Sequence, residues 1–153
     1  MTGRIATSGT RTGRSYLELE ARPGGVPQAR HWLRRTLTGW GLQAVADDAE
    51  AVLAELGSNA IKATISLPFD AHVGVLIAVH RERLAVLVWD ASPEPPVCQP
   101  RDDDALSGRC LEIVAALSER WGHTAGDRQR GKVVYAVLAV NHSGPVREKE
   151  NDQ

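Results

Sequence analysis

Cysteine is scarce in this chain: Cys98 and Cys110 are its two thiols in 153 residues. Two cysteines cannot build a disulfide framework, and no Cys/His cluster has zinc-ligand spacing, so both thiols are expected to be free. Aromatic residues are also few, with one Phe and two Tyr. The four tryptophans, Trp32, Trp40, Trp89 and Trp121, are expected to pack in the core or at its edge rather than to form a base-stacking platform. No apolar run approaches the length of a membrane span. The first 14 residues lack the apolar centre of a signal peptide. Neither sign of charge dominates, since the formal net charge is −1. The whole-chain balance therefore gives no electrostatic case for nucleic acid. These absences argue against membrane and direct nucleic-acid partners and lead to a cytoplasmic expectation.

What is present is an ordinary globular composition, with 42% hydrophobic and 24% charged residues, and a length that suits one domain with a single core. Residues 1–14 are rich in Gly, Thr and Arg and are expected to be a disordered arm. Ser15 to Ala21 reads as a short strand, broken by Pro23-Gly24-Gly25. From Val26 to Gly39 apolar residues fall at helical spacing, with Arg30, His31, Arg34 and Arg35 on the other face, expected to be solvated. Asp47 and Asp48 sit near the start of a second helix running to about Ser66, where acidic residues suit the helix dipole. His72–His80 and Leu84–Asp90 read as a β-hairpin. Residues 91–107 form a long loop, Leu111–Arg120 a helix with Leu111, Val114, Ala115 and Leu117 inward, and residues 122–132 a turn-rich connection. Val133–Val140 reads as a strand and residues 141–153 as a flexible charged tail. The mixture predicts an α+β two-layer sandwich over residues 15–140, with helices on one face of a mostly antiparallel sheet.

The chemistry-bearing residues begin on the second helix. Glu55 and Asn59 are four apart and share a helix face. Val45, Ala49, Val52, Leu56, Ala60 and Ala63 form an apolar stripe, with Asn59 roughly 20° and Glu55 roughly 60° from Val52 on a wheel of about 100° per residue. A carboxylate and a carboxamide aimed at an apolar face need partners. A metal ion with phosphates would serve, although, taken alone, the pair is more simply explained by ordinary backbone partners or by side chains reaching the surface. Asp90 ends the hairpin, where it could accept a hydrogen bond from an exocyclic amine or simply cap a turn. Gly108 and Arg109 lead into the third helix at Cys110. Glycine, a helix N-terminus and a cation suit a phosphate, and the same glycine could be an ordinary helix entry. Asp102-Asp103-Asp104 is expected to be a solvated run.

Taken in order, these residues resemble the GHKL (histidine kinase-like) ATPases. Glu55-Leu-Gly-Ser-Asn59-Ala is similar to that family's N box, Asp90-Ala-Ser-Pro to its first glycine box, and Gly108-Arg-Cys-Leu to its second. The resemblance spans about residues 15–140. It is nearest the anti-sigma-factor serine kinase branch, especially the small actinobacterial ATP-binding regulators. It implies the histidine kinase-like ATPase fold, with ATP and Mg²⁺ as cofactors. Asn59 would coordinate the Mg²⁺, Glu55 would act as general base or orient the attacking hydroxyl, and Asp90 would bind the adenine amine. Residues 93–107 would form a lid, and Gly108, Arg109 and Cys110 would lie at the phosphates. The implied partners are a STAS-domain anti-anti-sigma protein and a sigma factor, and members of this branch often form homodimers. Differences are Ala63 where His is frequent, Cys110 where glycine is usual, and Val133 where a hydroxyl is usual. Loss of that hydroxyl is expected to remove support from Asp90. A second implication is therefore a module that keeps the fold and binds a sigma factor or STAS partner without turning over ATP.

Overall fold

The computed structural model describes residues 11–96 and 110–140. Residues 1–10 of the expected arm, Cys98, the three aspartates 102–104, Gly108, Arg109, most of the expected lid and the tail 141–153 lie outside the described residues. Among the described residues, five strands and three α-helices follow in the order β1 (Thr12–Glu20), α1 (Gly25–Gly39), α2 (Ala46–Ile65), β2 (His72–His80), β3 (Arg83–Asp90), α3 (Cys110–Leu117), β4 (Arg120–Ala125) and β5 (Lys132–Ala139). The sheet order is β1-β2-β3-β5-β4, and each neighbouring pair is antiparallel. The α+β two-layer sandwich is thus the observed architecture. Among the described residues no helix is long and apolar enough to cross a membrane.

Strand alternation builds the core. Val73, Val75, Ile77 and Val79 of β2, Leu84, Val86 and Val88 of β3, and Val134, Ala136 and Leu138 of β5 are all buried. Period 2 places each set on one face of its strand. Helix α1 buries Ala29, Leu33 and Leu37 at four-residue spacing. It stops at a glycine-dependent cap: Gly41 has φ +75, its N–H donates to the Thr38 carbonyl, and the Leu42 N–H donates to the Leu37 carbonyl at 2.8 Å. That is a Schellman closure, and its two apolar ends, Leu37 and Leu42, are both buried.

The basic face of α1 is not simply solvated. Arg34 bridges Asp47 (2.7 Å) and Glu50 (2.8 Å), and Arg30 reaches Glu50 at 3.0 Å. Both acidic residues lie in the first turns of α2, so the ion pairs register the two helices side by side. These pairs hold the Glu50 carboxyl below its ordinary pKa, through hydrogen bonds first from Arg34 and then from Arg30.

Three boundaries differ from expectation. Strand β1 begins at Thr12, so residues 12–14 of the expected arm pair with His80, Val79 and Ala78; backbone pairing at a sheet edge needs no apolar side chains to announce it. Strand β4 (Arg120–Ala125) takes up the first part of the expected turn-rich connection, residues 122–125. Its sequence, Arg-Trp-Gly-His-Thr-Ala, is largely exposed and carries no alternating pattern, and Gly122 at its centre lies against the Tyr135 ring opposite. Helix α3 ends at Leu117 rather than Arg120, which begins β4. On α3, Val114 is buried with Leu111 and Leu117 half-buried on either side, while Ala115 is exposed; at about 100° per residue Ala115 falls outside the arc centred on Val114.

Candidate functional site

Asp90 is the last residue of β3 and shares the inward face with Leu84, Val86 and Val88. Strand parity therefore drives a carboxylate into the helix-covered side of the sheet, where it is 1% exposed. Among the described residues, its Oδ1 accepts two hydrogen bonds. One comes from the Ser92 N–H at 2.9 Å, an Asx turn that ends the strand. The other comes from Lys132 Nζ at 2.9 Å. Lys132 opens β5, directly opposite Asp90 in the antiparallel register. Its ammonium also donates to the Ser92 carbonyl at 3.3 Å. Burial pushes the Asp90 pKa up, and the Lys132 ammonium acts against that rise.

The turn before β5 is built around this pair. Gly131 has φ +66, and a Cβ there would stand 2.0 Å from the Asp90 carbonyl oxygen. Only glycine combines that backbone with so close an approach. The Gly126 N–H donates to the Gly131 carbonyl at 3.0 Å, and Trp89 Nε1 donates to the Arg130 carbonyl at 3.0 Å. The end of β3 and the start of β5 are thus locked together.

Helix α2 lies across the same side of the sheet, touching β2, β3 and β5. Its buried residues are Ala46, Ala49, Val52, Leu53, Leu56, Gly57, Ala60, Ile61 and Thr64. The buried arc is rotated from the expected stripe because α2 packs on α1 and α3 as well as on the sheet. Ile61 meets α1 at Gly25, and Gly57 meets it at Val26. Asn59 consequently sits at the edge of the arc instead of within it. Both Asn59 and Glu55 are half-buried, one helical turn apart on the rim. Burial raises the Glu55 pKa above the ordinary value, with Lys62 opposing. Cys110 opens α3, which packs on α2.

The structure thus brings Asp90 and Lys132 together at the strand ends, and carries Glu55 and Asn59 on the helix that packs against those strands. A family model for the histidine kinase-like ATPase domain matches residues 19–138. The chain belongs to that family. The histidine kinase-like ATPase domain is an ATP-binding module of the GHKL type, and the matched span contains the three helices, strands β2, β3 and β4, all of β5 but Ala139, and the end of β1 from Leu19. A comparison with curated proteins gives no match.

One side chain of this ATPase domain carries a role that the sequence did not announce. The expectation assigned the loss of support for Asp90 to Val133. Strand parity places Val133 on the opposite face with Tyr135 and Val137, opposite Trp89. The residue that faces Asp90 is Lys132. The signal was available: Lys132 shares the parity of Val134, Ala136 and Leu138, so a strand beginning one residue earlier sends its ammonium inward.

Proposed function

We propose that this domain is an ATP-dependent protein serine/threonine kinase of the anti-sigma-factor type. In this reading it phosphorylates a STAS-domain anti-anti-sigma protein, binds a sigma factor in competition with it, and so regulates transcription by partner switching. The observation that carries the kinase reading is Glu55. It is a half-buried carboxylate with a raised pKa, one helical turn from a carboxamide, on the helix that packs against the strands bearing Asp90 and Lys132.

Each side chain has a role that its chemistry permits. Asp90 accepts a hydrogen bond from the exocyclic amine of adenine. Glu55 takes the proton of the attacking serine or threonine hydroxyl, and burial moves its pKa toward the range where a carboxylate is an effective base. As the hydroxyl oxygen bonds to the γ-phosphorus, the bond to the β-phosphate oxygen breaks and ADP leaves. Gly108 and Arg109 are assigned to the phosphates, with Cys110 at the helix start. Positioning and charge neutralisation do most of the work in such a transfer.

A divalent cation fits this donor set. Among the described residues no group of three or more His, Cys, Asp or Glu side chains is placed to hold a metal ion. Mg²⁺ would therefore be held chiefly by nucleotide phosphates, with the Asn59 carboxamide oxygen as the protein's hard donor. When bound, the ion supplies neutralisation of phosphate charge.

The test is transfer of labelled γ-phosphate from Mg·ATP to a cognate STAS protein. Transfer that is lost in Glu55→Gln supports the kinase reading, and absence of transfer by the unaltered chain refutes it. A second reading, a binding module without turnover, is favoured by Cys110 in the second glycine box. It is expected to hold the sigma factor or STAS protein equally well with and without ATP.

A further inference from the structure

We propose that Lys132 is a specificity-determining positioning residue of the base site, which keeps Asp90 an anionic acceptor for the exocyclic amine of a purine. The inference rests on the nucleotide-site reading of the domain and adds to it a residue that the N box and glycine boxes do not contain.

The geometry is that of a built acceptor. Lys132 and Asp90 side chains are 6% and 1% exposed and 2.9 Å apart. They occupy the ends of two neighbouring strands whose other inward residues are apolar. A buried ion pair is weak evidence for stability, since a well-packed apolar pair of similar volume is often as stable. A charge pair at this point therefore calls for another use. Among the described residues, both bonds to the carboxylate fall on Oδ1. That leaves Oδ2 to accept from a ligand. An ionised carboxylate only accepts hydrogen bonds, so it favours a base bearing an amine at its edge over one that has none.

Lys132 makes this possible by charge. A carboxyl group this deeply buried would otherwise take up a proton and become a poorer acceptor. Of the charged side chains on elements packed against Asp90, Lys132 on β5 acts on it, whereas Lys62 on α2 acts on Glu55. Lys132 also ties the Ser92 carbonyl, so the Asx turn and the carboxylate orientation are fixed together.

The experiment compares Kd for ATP and for purine riboside triphosphate, which lacks the 6-amino group, by calorimetry between pH 6 and pH 8.5. The ratio of the two cancels titration of the triphosphate, which both nucleotides share. The unaltered chain should prefer ATP by about tenfold or more across the range, the worth of a hydrogen bond to a charged acceptor. In Lys132→Met the ratio should fall toward one at pH 6 and recover as pH rises, whereas Lys132→Arg should keep a flat preference. An unaltered ratio in Lys132→Met, or tighter ATP binding by that variant, overturns the role and makes Lys132 a competitor of the base. If Lys132→Met does not fold, the unaltered chain and Lys132→Arg decide: a preference that fades below pH 7 in the former, or is lost in the latter, overturns it. Failure of ATP to bind the unaltered chain overturns the nucleotide-site reading as well, whereas ATP binding without the expected ratios overturns this inference alone.

Discussion

Removing the Lys132 ammonium should destabilise the fold by an amount that depends on pH. In Lys132→Met the Asp90 carboxylate, 1% exposed, loses the cation 2.9 Å away and retains the Ser92 N–H. Leaving a buried charge unpaired costs about 3–5 kcal/mol. Protonation sets a ceiling on that cost. For a carboxyl whose ordinary value is 3.8, taking up a proton costs about 4 kcal/mol at pH 7 and about 1.6 kcal/mol at pH 5. The sign follows from linkage. In the variant the folded-state pKa is raised further, so stability is retained below the ordinary value and lost as pH rises. Urea denaturation of both proteins from pH 5 to pH 8 should show a gap widening from about 1–2 to about 4 kcal/mol. The double variant Lys132→Met/Asp90→Asn should recover most of it, because no buried charge remains. A gap below about 1 kcal/mol at pH 7, or one that narrows as pH rises, refutes the buried pair.

Other outcomes follow from the same geometry. Glu55→Gln should abolish transfer while raising Tm at neutral pH, because burial disfavours the charged form of this carboxyl; differential scanning calorimetry and the transfer assay check both halves. In the unaltered chain, transfer should rise as pH increases through the raised Glu55 pKa, and a rate that is flat between pH 5 and pH 8 contradicts a basic role. Gly131→Ala should destabilise by more than about 1 kcal/mol, since φ is +66 and the added Cβ meets the Asp90 carbonyl at 2.0 Å. Chemical denaturation measures it directly. Arg34→Ala should lower stability only slightly, and the shift should shrink in high salt, because the bridge from Arg34 to Asp47 and Glu50 is partly solvated; urea denaturation at low and high salt checks it.

The layered fold was legible because its signals are local and repeated. The β2–β3 hairpin shows as two Val- and Leu-rich runs around Arg81-Glu82, and α2 as a long amphipathic run with acidic residues at its start. Strand β4 was not legible, since an edge strand is defined by backbone pairing to β5 and its exposed side chains are under no pressure to alternate. The site was partly legible. Glu55 and Asn59 could be placed on one helix face from spacing alone. How deep they sit could not, because that depends on the packing of Gly57 and Ile61 against α1, a tertiary contact. Asp90 could be placed at a strand end, but its partner could not. A one-residue error in the start of β5 moved attention from Lys132 to Val133, and in a strand one residue exchanges the two faces.

The most direct measurement is calorimetric titration of the unaltered chain and of Asn59→Ala with Mg·ATP. A nucleotide site built on α2 and the β3–β5 strand ends should give saturable one-site binding, weakened at least about tenfold in Asn59→Ala through loss of an oxygen donor to the metal–phosphate unit. No heat of binding at millimolar Mg·ATP, or equal affinity in both proteins, contradicts it.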